Sequence, residues 1–66
     1  MDKQFYNESS SAKLGWEPDW FNCEYFDEDL TKSVEAWQRE NDLEADGLVG
    51  PMTFRRLWTE REHNIS

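Results

Sequence analysis

The chain has few of the residues that build disulfide-stapled or membrane-spanning proteins. Its one cysteine, Cys23, has no partner within the 66 residues, so a fold held by internal disulfides is excluded. It also has no apolar run long enough to cross a bilayer. Because no basic start is followed by an apolar stretch near Met1, we expect no secretory signal in this sequence.

Positive charge is also scarce. Seven Lys and Arg residues stand against fifteen Asp and Glu residues, which gives a formal net charge of −8. Nucleic-acid phosphates and anionic lipid head groups both require a basic surface. We therefore expect neither nucleic acid nor a membrane as a partner, and the acidity is sufficiently explained by its effect on solubility.

Aromatic side chains, in contrast, are abundant. The 66 residues include four Trp, four Phe and two Tyr. A chain this short buries only about 60% of its unfolded surface, so it needs large side chains to build one core. Each aromatic residue can bury about 150–250 Å². The sequence therefore predicts a single small domain that covers residues 1–66.

Capping and breaking signals predict three helices. Asp27 is a good N-cap for a second helix, which should end near Asn41. Pro51 after a glycine suits the first position of a third helix, which should run to about Glu62. A single turn of helix is expected near Trp20. The predicted fold class is thus all-α, a small three-helix module with short connecting turns.

The N-terminal part carries weaker signals. A short first helix is predicted from Glu8 to Leu14, where Gly15 stops it. The segment 1–10 is polar and rich in serine, so we expect it to fray. The segment 63–66 has no packing pattern and resembles a linker to a downstream domain that is missing from this sequence.

The segment 43–57 is the most informative. Gly47 follows an aspartate, as in turns that need a positive φ, and Leu48 and Val49 form a short apolar run before the third helix. Phe54 and Leu57 then lie on one face of that helix. From the second helix onward the pattern reads Ser33-Val34-x-x-Trp37-Gln38-x4-Leu43-x-x-Asp46-Gly47-Leu48-Val49-Gly50-Pro51-x-Thr53-Phe54-x-x-Leu57.

This pattern closely resembles the second half of the peptidoglycan-binding domain family, a three-helix module appended to cell-wall hydrolases. The resemblance covers residues 14–57 and is strong from Ser33 onward. A weak internal repeat, 26–34 against 49–57, agrees with the doubled unit of that family. The first helix departs from the family, because the usual apolar spacing is nearly absent there.

No constellation of residues indicates catalysis. His63 stands alone near the end, and Cys23 has no surrounding partner pattern. Asp42, Glu44 and Asp46 alternate as in the start of a calcium-binding loop, but Thr53 replaces the glutamate that such a loop requires. We expect no metal, no cofactor and no enzymatic activity in this fragment.

The expected ligand contacts are aromatic and amide or carboxylate side chains near the turns, since aromatic rings stack on sugars and polar groups bond their hydroxyls. They are Trp16, Trp20, Tyr25, Gln38, Asn41 and Asp46. For Trp16 and Trp20 the alternative is that they close the core in place of the weak first helix. The apolar residues on helical faces or in the short apolar run are predicted core: Leu30, Val34, Trp37, Leu48, Val49, Phe54 and Leu57.

The resemblance implies a monomeric, non-catalytic module that binds peptidoglycan and targets a linked, C-terminal cell-wall hydrolase. The N-terminal domain of a phage endolysin fits best, made in the host cytoplasm and acting at the bacterial cell wall. The alternative is an acidic helical interaction module, or a phage protein that mimics nucleic-acid charge, and the net charge of −8 motivates it.

Overall fold

Three α-helices and one short 3₁₀ turn are the helical elements of the residues that the structure describes. The computed structural model describes residues 2–65, with side chains described for residues 2–62. The elements are α1 (Lys3–Leu14), the 3₁₀ turn (Pro18–Phe21), α2 (Glu28–Glu40) and α3 (Pro51–Ile65). Residues 2–65 contain no strand, so the predicted all-α, three-helix fold is confirmed.

Helix α1 begins at Lys3 rather than at Glu8. Asp2 supplies the start that the sequence reading missed, because its Oδ1 accepts from the backbone N–H groups of Gln4 and Phe5 at 3.0 and 3.1 Å. The helix ends at Gly15, whose φ is +88°, as predicted. Most of the segment that was expected to fray is therefore helical.

The other two helices begin where the sequence predicts. Asp27 caps α2, since its Oδ1 accepts from the Leu30 N–H at 3.1 Å, and the helix ends at Glu40. Helix α3 begins at Pro51 and continues to Ile65, beyond the predicted end at Glu62. The predicted linker covers residues 63–66. Ser66 lies outside the described residues, and the side chains of residues 63–65 are not described.

Trp16 stands at the centre of the core. Its side chain is only 1% exposed and meets the rings of Phe21 and Phe26 edge-on, with centroids 5.7 and 5.8 Å apart. Among residues 2–62, the buried apolar side chains of the core are Trp16, Phe21, Leu30, Val34, Val49 and Leu57. Predicted core residues Trp37 and Phe54 pack against them while partly buried, but Leu48 is only half-buried and lies outside this cluster.

Helix α1 packs through polar rather than apolar side chains. Its buried residues are Asn7 and Ser10, and its only apolar contribution at the core is the partly buried Leu14. This composition explains why the apolar spacing of the first helix is so weak. Trp16, directly after the helix, supplies the missing volume.

Two glycines with positive φ give a matched test of this packing. A Cβ at Gly15 (φ +88°) would meet nothing within 4 Å, whereas one at Gly47 (φ +76°) would lie 2.8 Å from Thr31 Cγ2. We expect Gly15→Ala to cost roughly 1–2 kcal/mol of unfolding free energy, from the left-handed backbone alone. Gly47→Ala should cost a further 1–3 kcal/mol, approximately, because of overpacking.

Urea denaturation followed by circular dichroism measures both glycine variants. Thr31 is β-branched, and its Oγ1 bonds the Asp27 carbonyl at 3.4 Å, so its methyl group has little room to rotate away. Equal losses for Gly15→Ala and Gly47→Ala would show that α2 and the 43–50 loop are not in close contact.

Candidate functional site

Gln38 organises the loop 43–50. Its Oε1 accepts from the Gly47 N–H at 2.9 Å. Its Nε2 lies 3.0 Å from Asp46 Oδ1, 3.0 Å from the Leu48 carbonyl and 3.1 Å from Thr53 Oγ1, and these acceptors share its two protons. The residue is 1% exposed. One side chain of α2 thus fixes both the loop and the first turn of α3.

Helix α1 holds the same loop from the opposite side. The Asn7 amide donates to the Gly47 carbonyl and accepts from the Val49 N–H, both at 2.9 Å. Ser10 Oγ donates to the Val49 carbonyl and accepts from Trp16 Nε1 at 3.0 Å. The polar face of α1 therefore replaces a partner strand for a short stretch of irregular backbone.

These bonds change the interpretation of three predicted ligand contacts. Trp16 and Gln38 are each 1% exposed, so neither side chain has surface to offer a ligand. For Trp16, the alternative role in the core is the one observed. Asp46 is half-buried, and its Oδ1 accepts from Gln38 Nε2 and from the Leu48 N–H at 2.9 Å. Gln38, Asp46 and Gly47, which belong to the motif that carries the resemblance, thus serve mainly to hold the loop in place.

Two concavities lie beside α1 and the 43–50 loop, with Tyr6 and Pro51 in the lining of both, and together they are called the groove. Its first half, of about 470 Å³, is mainly apolar and is lined by Phe5, Tyr6, Leu14, Val49 and Pro51, among others. Phe5 is 68% exposed there. The lining of this half contains one basic residue, Lys13, and one acidic residue, Asp2, which caps the other end of α1.

The second half of the groove, of about 430 Å³, lies between the 43–50 loop and the start of α3. It shares Tyr6 and Pro51 with the first half, so the two concavities adjoin. Asp42, Glu44 and Asp46 line it, together with apolar residues such as the 79% exposed Met52. No basic side chain lines this half within the described residues.

Trp20, in the 3₁₀ turn, packs against aromatic side chains of α3 on a separate face of the molecule. Its ring lies 6.3 Å from Phe54 and 6.5 Å from Trp58, and the planes are within 30° of each other. The Arg61 guanidinium lies 4.0 Å over the Trp20 ring and covers it from one side. Trp20 is thus partly buried, packed against the core and only partly available for stacking.

The two remaining predicted contacts lie apart from both features. Tyr25 is 67% exposed in the segment that precedes α2. Asn41 caps α2, donates to the Trp37 carbonyl at 2.9 Å, and lines a depression of about 400 Å³ beside Arg56. The structure therefore does not bring the six predicted residues together, and only Asp46 lines the groove.

Sequence reasoning missed the groove because its walls come from the segment that was expected to fray. Phe5 and Tyr6 are the large apolar groups of that segment, and they recur with Ser9, Ser10 and Lys13 on one face of α1. The sequence signal that could have revealed this face is Asp2, because an N-cap at this position starts α1 early enough to include Phe5 and Tyr6.

In the part of the chain that the structure describes, no group of three or more His, Cys, Asp or Glu residues is placed to hold a metal ion. Among the same residues, no helix has both the length and the apolar character needed to cross a membrane.

Comparison with known proteins identifies the same family that the motif around the 43–50 loop resembles. The model of a family described as "putative peptidoglycan binding domain" matches residues 6–57. Searches of curated proteins and of solved structures find no match. The matched range contains most of α1, the 3₁₀ turn, α2 and the first half of α3. The chain therefore belongs to the peptidoglycan-binding domain family.

Proposed function

We propose that this chain is the wall-anchoring module of a phage endolysin, N-terminal to a catalytic domain that cleaves peptidoglycan. The family match over residues 6–57 is the observation that carries the proposal. Family members of this kind are binding domains, and binding raises the concentration of a tethered catalytic domain at its substrate without new chemistry. We further propose that it is made in the host cytoplasm, works as a monomer and acts at the cell wall.

The groove is the proposed contact surface for peptidoglycan. It combines exposed aromatic and apolar walls with polar groups, as ligand sites usually do. Trp20, Tyr25 and Asn41 stay as second candidates on other faces, and Tyr25 is the one that the next experiment tests.

A matched pair of aromatic substitutions separates the groove from the rest of the surface. Phe5 is 68% exposed in the groove, and Tyr25 is 67% exposed outside it. Phe5→Ala should weaken co-sedimentation with purified peptidoglycan sacculi about fivefold, since an aromatic contact contributes roughly 1 kcal/mol. Tyr25→Ala should bind like the unmodified chain. Because both rings are largely exposed, both variants should fold normally.

The outcomes of this pair are distinct. If Tyr25→Ala loses binding while Phe5→Ala keeps it, the contact surface is not the groove. If the unmodified chain stays in the supernatant, the module does not bind the wall. A steep loss of binding to a basic protein with added salt would then favour the second candidate, an acidic interaction module, which the net charge of −8 motivates.

A further inference from the structure

We propose that the groove binds the peptide stem of peptidoglycan rather than the glycan strand, and that the acidic half receives a free side-chain ammonium group. Such an ammonium belongs to the diamino acid of a stem peptide that is not cross-linked. This inference rests on the proposed function and specifies the part of the wall that is recognised.

The acidic half offers carboxylates that the protein does not use itself. Asp42 and Glu44 are exposed, and within the described residues neither side chain accepts a hydrogen bond or forms an ion pair. Asp46 lines the same half, with one oxygen already committed to the loop. The three carboxylates are not gathered closely enough to hold a metal ion. Spaced carboxylates suit an ammonium on a flexible chain.

The partial charges of the nearby helix termini do not remove the preference of the acidic half for an ammonium group. Helix α3 begins here, and a helix N-terminus carries a partial positive charge of about half a unit. Helix α2 ends just before Asp42, and its C-terminus carries a partial negative charge of similar size. Both helix charges are partial, whereas each carboxylate carries a full negative charge, so the formal charges of the carboxylates dominate.

The apolar half completes the match with a peptide. Phe5, Tyr6, Val49 and Pro51 present rings and methyl groups, which suit the alanine methyl groups of a stem peptide. Lys13 lies about 10 Å along α1 from Tyr6, at the rise of an α-helix, where a peptide carboxylate has a cationic partner. The groove thus carries both signs of charge around an apolar centre.

Charge complementarity separates the stem peptide from the other polymers of the wall. A glycan strand whose lactyl groups carry peptides is uncharged, so it would leave the carboxylates without a partner. Anionic wall polymers without an amine would place only negative groups against the acidic half, which repels them. An un-crosslinked stem peptide carries a side-chain ammonium, and its D-Glu and C-terminal carboxylates lie at other positions of the same chain.

Acetylation of a single amine tests the proposal. The probe is a synthetic pentapeptide with an acetylated N-terminus, N-acetyl-L-Ala-γ-D-Glu-L-Lys-D-Ala-D-Ala, whose only amine is the lysine side chain. It is compared by calorimetric titration with the same peptide acetylated on that side chain as well. Acetylation should weaken binding to the unmodified chain about tenfold, the loss expected for one charge-assisted contact. The double variant Asp42→Asn with Glu44→Gln should bind both peptides equally weakly.

A second double variant controls for net charge. Glu8→Gln with Glu40→Gln removes the same charge from exposed positions outside the groove, and it should keep the tenfold preference for the free amine. Asparagine tolerates the left-handed backbone at Asp42, whose φ is +58°, so the groove variant should fold. Thermal unfolding of all variants checks this.

The opposite results are equally clear. Equal affinity of the unmodified chain for the two peptides would overturn the inference, and sacculus binding would then show that the wall-anchoring function stands without it. Tighter binding of a glucosamine oligomer than of the pentapeptide would also overturn it, because the ammonium would then come from deacetylated glycan. Loss of the preference in the Glu8 and Glu40 control would assign the effect to net charge.

Discussion

Replacing Gln38 with alanine is expected to lower the unfolding free energy by about 3–5 kcal/mol. The substitution leaves the buried Gly47 N–H without a partner, and it removes the donor that serves the Leu48 carbonyl and Thr53 Oγ1. Each buried group left unsatisfied costs about 1–3 kcal/mol. A domain of 66 residues has only about 3–10 kcal/mol of stability in total, so much of the variant should be unfolded.

Two further variants separate the hydrogen bonds of Gln38 from its packing. Gln38→Glu keeps the size of the side chain but turns a carboxylate oxygen toward Asp46 Oδ1 and the Leu48 carbonyl, so it should be at least as damaging. Gln4→Ala, at an exposed position of α1, should change stability little. Chemical denaturation measures all three. A stable Gln38→Glu variant would show that the loop does not depend on the amide.

Trp16→Ala is the other substitution with a large expected effect, a loss of about 3–5 kcal/mol of unfolding free energy. The ring fills the centre of the core between Phe21 and Phe26, and its Nε1 bonds Ser10 Oγ. Removing it leaves a cavity and detaches α1 from the 3₁₀ turn. Trp16→Phe should lose less, because a smaller ring keeps part of the packing.

The control for Trp16 is Trp58, which is 48% exposed on α3. Trp58→Ala removes a side chain of the same size, but most of the lost contacts are at the surface, with Phe54, Trp20 and Glu62. Its expected cost is about 1 kcal/mol. Thermal and urea unfolding measure the pair. Similar losses for the two variants would contradict the central position of Trp16.

The sequence predicted the fold well where local signals and the loop motif agree. Asp27, Gly15 and Pro51 mark real helix boundaries, because capping and proline geometry act through the nearest backbone groups. The resemblance in 33–57 identified the family. These parts were predictable since each depends on residues that are close in the chain.

The candidate site was harder to predict because its parts are distant in sequence. Asn7 forms hydrogen bonds with Gly47 and Val49, some forty residues away in the sequence. No local sequence pattern predicts such a contact. A polar residue such as Gln38 near a turn suggests a ligand contact, yet its amide serves the backbone. Hydrophobic periodicity also fails for α1, whose buried face is polar.

The hydrogen bonds from α1 and α2 to the 43–50 loop affect the free energy of ligand binding. Loops that line binding sites are commonly mobile, and a ligand that orders them loses part of its affinity to conformational entropy. Here Asn7 and Gln38 anchor the loop with bonds that break only when α1 or α2 separates from it. The floor of the groove is therefore preorganised, so a few surface contacts are enough for useful affinity.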